Sequence, residues 1–152
     1  MSTTDPRKVM LDFLLDATTG LSNAALTKDD DSTQVAFDVM YAYPDYPLTR
    51  EFRAAANPVD LLFLVDTPTV RTAGVKVRYI ESIPVTVACI DKTGITGTKL
   101  RWKAEKELRR VIKAFPLGSF HSMDRSEPSD ERLGSTIVHS ITLTANIRRT
   151  AS

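Results

Sequence analysis

The sequence predicts an α+β domain: a mainly antiparallel sheet of four strands with two helices packed on one face, in the order α-β-β-β-α-β. Three observations lead there. Segments 75–90 and 136–148 place apolar residues at every second position, the period of a strand that buries one face. Residues 98–115, and a shorter segment at 6–17, repeat apolar residues at helical spacing instead. The chain has 152 residues, which makes a single domain over 1–152. A domain of that size buries roughly 68–70% of its unfolded surface without staples.

The first helix, 6–17, has Asp5 or Thr4 as its cap and Pro6 at the first helical position, where a missing N–H costs nothing. Val9, Met10, Phe13, Leu14 and Ala17 share one face, and Gly20 ends it. A polar connection follows, and its Asp29–Asp31 run reads as a solvated turn. The alternating acids, the glycine and the distant glutamate of a calcium loop are missing. Residues 33–41 alternate around Val35, Phe37, Val39 and Tyr41 and predict the first strand.

"AYPDYPLTREFRAAANP" is too long for a hairpin and holds three prolines, so it is expected to leave the sheet, with Tyr43 and Tyr46 either packing it onto its own domain or anchoring a partner. The apolar run 59–65 predicts a strand covered on both sides. In 75–90 the odd residues from Val75 to Cys89 are apolar except Glu81, and Pro84 lacks a ladder donor. A bulge or break is therefore expected near Glu81–Pro84. The segment "PLGSFHSMDRSEPSDERLGS" reads as a polar loop. The last strand, 136–148, sets Ile137, His139, Ile141, Leu143, Ala145 and Ile147 against a polar face.

Composition is that of an ordinary soluble globular protein, 42% hydrophobic and 26% charged. One cysteine, Cys89, forms no internal disulfide and reads as a buried side chain, which fits a reducing compartment. No export signal or membrane-spanning apolar run is expected. The net charge of +1 hides a polarity. Residues 1–68 carry eleven acids and five bases, net −6; residues 69–152 carry eight acids and fifteen bases, net +7. Oppositely charged halves fit head-to-tail contact between subunits, or one face meeting a polyanion.

Sites for chemistry are not evident. "DKTGITGTKL" follows a strand and opens a helix, yet it lacks the Gly-Lys-Ser/Thr of a phosphate loop. The two histidines, His121 and His139, have no partner at metal-ligand spacing, and His139 reads as a packed residue. No nucleophile elbow is present. The chain is expected not to be an enzyme, with no catalytic residues, no cofactor and no metal.

The candidate functional feature is the helix 98–115. At about 100° per residue, Lys99, Lys103, Lys106, Arg110 and Lys113 form one basic stripe, and Ala104, Leu108, Val111, Ile112 and Phe115 lie opposite. Burying the apolar side points the stripe toward acidic surface, phosphate or an aqueous channel, with Trp102 on its flank. Replacing Lys103, Lys106 and Arg110 with glutamine is then expected to leave folding nearly intact.

In order, the helix "DPRKVMLDFLLDA", the strand "VRYIESIPVTVACIDK", the helix "KLRWKAEKELRRVIKAF" and the closing strand "STIVHSITLTANIRR" cover most of the chain. Together they resemble the tail terminator or tail-completion proteins of tailed phages, tailed archaeal viruses and gene transfer agents. The resemblance implies a structural virion protein: a homo-oligomeric, hexameric ring that caps the tail tube and joins it to the neck. Its partners would be the tail tube protein and neck or connector proteins, with DNA in the channel and no membrane. It would reside at the head-tail interface of the virion after assembly in the host cytoplasm. A head-tail stopper or neck protein, and a small nucleic-acid-binding module, are the alternatives.

Overall fold

The structure is a computed structural model that describes residues 6–16, 18, 20, 21, 26–35, 37–41, 61–72, 78–91, 98–114, 119–133 and 136–150. Its elements run α1 (Pro6–Leu15), β1 (Phe37–Tyr41), β2 (Leu61–Val65), β3 (Thr69–Thr72), β4 (Arg78–Asp91), α2 (Thr98–Lys113), β5 (Ser119–Arg125), β6 (Ser129–Leu133) and β7 (Thr136–Thr150). The expected caps Thr4 and Asp5, the excursion with Tyr43 and Tyr46, the turn before α2, and Phe115 lie outside the described residues.

The expectation of a mainly antiparallel four-stranded sheet is corrected. The sheet has seven strands in the order β1-β2-β4-β7-β5, with β3 also on β4 and β6 also on β7. It is mixed, because β1 pairs parallel to β2, Phe37 opposite Leu61 through Tyr41 opposite Val65. A parallel neighbour requires a crossover of a dozen or more residues, and nineteen separate Tyr41 from Leu61.

The spine is the β4–β7 pair, in register from Arg78↔Thr150 to Asp91↔Ile137. Each of the two strands carries a broken strand on its outer edge. Between Val65↔Val85 and Thr69↔Ser82, β2–β3 advances four residues while β4 advances three. The predicted irregularity near Glu81–Pro84 thus exists, but the extra residue belongs to the facing strand and β4 stays continuous. Pro84 sits opposite the break, where its missing N–H removes no ladder bond, and its carbonyl accepts the Asp66 N–H at 2.9 Å. The other edge repeats the device: β5 shifts register between Phe120 and Ser122, and Arg125↔Leu143 is followed by Ser129↔Ser140.

The polar-loop expectation for the segment before β7 is therefore also corrected. β5 and β6 hide from a hydropathy reading because both of their faces are largely polar. On the side away from the helices, Asn146 accepts from Ser82 Oγ at 2.6 Å and donates to Ser122 Oγ and Asp124 Oδ2, each at 3.0 Å. One buried amide thus joins β4, β7 and β5, and its polar groups are satisfied across three strands.

Both helices cover the other face. Met10 and Leu14 of α1, and Leu100, Ala104, Leu108, Val111 and Ile112 of α2, form one core with Phe63, Ile83, Val85, Val87, Cys89, Ile141, Leu143, Ala145 and Ile147. Phe37 meets Phe63 edge-on at 5.5 Å, and Arg7 of α1 lies 5.0 Å over the Tyr41 ring. In β2, Leu62 and Leu64 turn away from the helices and join Ala88 and Val138 in a second cluster, so every residue of β2 is buried. Gly20 closes α1 by close approach: a Cβ there would stand 2.4 Å from the Leu14 carbonyl oxygen.

Candidate functional site

The rotation of α2 follows from its apolar residues. Leu108, Val111 and Ile112 are fully buried, and removing the Leu108 side chain beyond Cβ costs roughly 2–5 kcal/mol in such a core. That rotation leaves three cationic regions of different character on and beside the helix.

The first faces the 27–31 turn. Asp29 caps α2 from far away in sequence: its Oδ1 accepts the Leu100 N–H at 2.8 Å and its Oδ2 the Lys99 N–H at 3.4 Å. An acid among the first unpaired N–H groups of a helix also meets the positive end of its dipole. Asp30 folds the turn onto itself, accepting from the N–H groups of Ser32 and Thr33 and from Thr33 Oγ1, and these bonds hold its carboxyl far below the usual range. Asp31, at a positive φ of 61°, pairs with both Lys99 and Lys103. Hydrogen bonds from Lys103, then Lys99, hold its carboxyl below the ordinary value.

Lys103 is enclosed. Its Nζ donates to Thr27 Oγ1 and the Lys28 carbonyl at 2.8 Å each and to the Thr27 carbonyl at 3.3 Å, and it lies 2.6 Å from Asp31 Oδ1. Its side chain is 13% exposed. The expectation that Lys103 could be exchanged with little effect on folding is corrected, because its ammonium is the hub joining this turn to α2.

The second region is the outer face. Lys106 lies 4.7 Å over the Trp102 ring. Arg110 is exposed but grips Glu107 through Nε and a terminal nitrogen, a two-point contact that keeps its guanidinium charged. Lys113 is exposed and has no partner among the described residues.

The third region lies toward β5 and contains cations absent from the sequence-derived stripe. Glu105, a buried acid, is reached by Arg109 at 3.4 Å and by Arg125 of β5 at 2.5 Å, both on the same oxygen, Oε1. These groups, with Trp102 and Lys106, line a shallow cleft of about 260 Å³. Arg109 was legible at helical spacing beside Trp102; Arg125 was not, since its segment reads as a loop. On β6, Asp130 Oδ1 is reached by both Arg101 and His139, at 2.6 and 2.7 Å. The His139 bond and the Arg101 charge hold the Asp130 carboxyl below its ordinary value, so it is an acceptor and His139 Nδ1 carries the proton toward it.

Of the five predicted stripe residues, Lys99, Lys103 and Arg110 are thus held by acids of their own chain, and Lys106 and Lys113 are not. Among the described residues there is no group of three or more His, Cys, Asp or Glu arranged for a metal, and no helix long and apolar enough to cross a membrane. Cys89 is buried. No family model matches the chain, and no curated protein matches it.

Proposed function

We propose that the chain is a structural protein of a tailed virus or related particle: a tail terminator whose copies form a ring, hexameric as the resemblance implies, that caps the tail tube and joins it to the neck. The observation that carries this reading is the outer face of α2. Trp102, Lys106 and Lys113 are exposed there with no acid paired to them among the described residues, while Arg109 and Arg110 beside them are paired with Glu105 and Glu107 at the buried margins. Ring symmetry multiplies such a face into a belt of positive charge. The acids of residues 1–68 other than Asp12, Asp29 and Asp31, which are engaged within the chain, would supply opposite charge for head-to-tail contacts, which close when the rotation between subunits allows it. The chemistry required is binding and assembly, without a catalytic residue or cofactor. Such a protein would reside at the head-tail interface after assembly in the host cytoplasm.

Native mass spectrometry and electron microscopy of the chain mixed with its cognate tail tubes test the proposal. Closed rings seated on one end of each tube are expected. A chain that stays monomeric beside tubes, and leaves both of their ends bare, overturns it.

A further inference from the structure

We infer that the cleft between α2 and β5 binds a nucleic-acid strand, with a phosphate on the Arg109–Arg125 pair and an unpaired base on Trp102. Two guanidiniums converge there on one carboxylate oxygen, Glu105 Oε1. Glu105 is the carboxylate both of them bond, while Glu127 acts on Arg125 through its charge with no ion pair among the described residues. Among the described residues Arg125 donates through Nε alone and Arg109 through one terminal nitrogen, so most donors of both forks remain available. A phosphate offers several acceptor oxygens and negative charge, in the geometry that guanidinium forks match.

Trp102 decides between anions. Trp102 is 55% exposed in the same cleft, and Lys106 lies over its ring. An acidic peptide would engage only the cations. A strand engages cations and ring together, since backbone charge and base-aromatic stacking are the two contributions that bind single strands without sequence preference. The inference does not depend on ring formation.

Trp102 is the only tryptophan, so its fluorescence reports on the cleft directly. The full chain is titrated at low salt with an oligothymidylate, and in parallel with inorganic polyphosphate and with polyglutamate. Quenching by the oligonucleotide is expected, with weaker binding and no quenching by the base-free polyanions. One phosphate neutralised by the Arg109–Arg125 pair predicts that log K falls against log salt with a slope of about −0.7. By anisotropy of a labelled oligonucleotide, Trp102→Ala should weaken binding at least about five-fold, the low end for one stacked base. Arg109→Gln and Arg125→Gln combined with Glu105→Gln remove both guanidiniums without stranding a buried carboxylate, and should weaken binding and flatten the salt slope.

Equal binding of polyglutamate and oligonucleotide, indifference to Trp102→Ala, or no binding at low salt each overturns the inference. Tube capping is read separately, so a chain that binds strands and caps nothing refutes the ring alone, and the reverse result refutes this site alone.

Discussion

The two flanks of helix α2 hold the same kind of side chain and use it oppositely. Toward the 27–31 turn, Lys99 and Lys103 meet Asp31, two backbone carbonyls and a hydroxyl, and Asp29 caps the helix beside them. Toward β5, Arg109 and Arg125 share one oxygen of Glu105, and Trp102 and Lys106 stand exposed around them. Formal charge is therefore a poor guide to available charge. The turn flank is a structural joint; the β5 flank carries surplus cation where a ligand can reach it.

Breaking the joint should give the largest effect. Lys103→Gln leaves Asp31 and the Thr27 and Lys28 carbonyls short of a donor, and should lower unfolding free energy by about 2 kcal/mol, the scale of lost charged hydrogen bonds. Urea denaturation measures it. A loss no larger than for an exposed lysine would erase the distinction between the flanks.

Asp29→Ala should cost about 1 kcal/mol, as loss of a helix cap does. Because Asp29 lies some seventy residues from the N–H groups it accepts, amide exchange at Lys99 and Leu100 should quicken while the end of α2 near Lys113 keeps its protection.

Acid should weaken the joint through Asp31. The Asp31 carboxyl is depressed in the folded protein, so its contribution is fully present above the ordinary aspartate value of about 4 and is lost as pH falls through the folded value. Asp130 follows the same sign. Stability should thus be flat with respect to these two groups from pH 7 to about 5 and decline below about 4, and Asp31→Asn should remove part of that decline.

The smallest effect on folding belongs to the outer face. Lys106→Gln with Lys113→Gln should shift stability by no more than about 0.5 kcal/mol, because both side chains are exposed. Strand binding or tube capping should suffer instead, and a variant that keeps both would make this face a solvated surface.

Much of the frame was legible along the chain. The odd-numbered apolar residues of β4 and β7 and the helical spacing of α2 each state which side must be buried, and a one-residue slip would expose the whole set. β5 and β6 were not legible, because Ser122 and Asp124 satisfy Asn146 on one face while Arg125 reaches Glu105 on the other. Neither face is apolar, so no period marks these strands; the exposed edge of β7 makes them. The parallel pairing of β1 and β2 was equally invisible, since both directions present the same apolar residues to the core.

The sequence by itself determined which residues enter the core and how α2 is rotated, because hydrophobic burial depends on spacing within one element. Only the tertiary structure decided which cations are neutralised and which are available. Charges lose their freedom to partners a few ångströms away in space, and here those partners, Asp31 for Lys103 and Glu105 for Arg125, come from other elements of the chain.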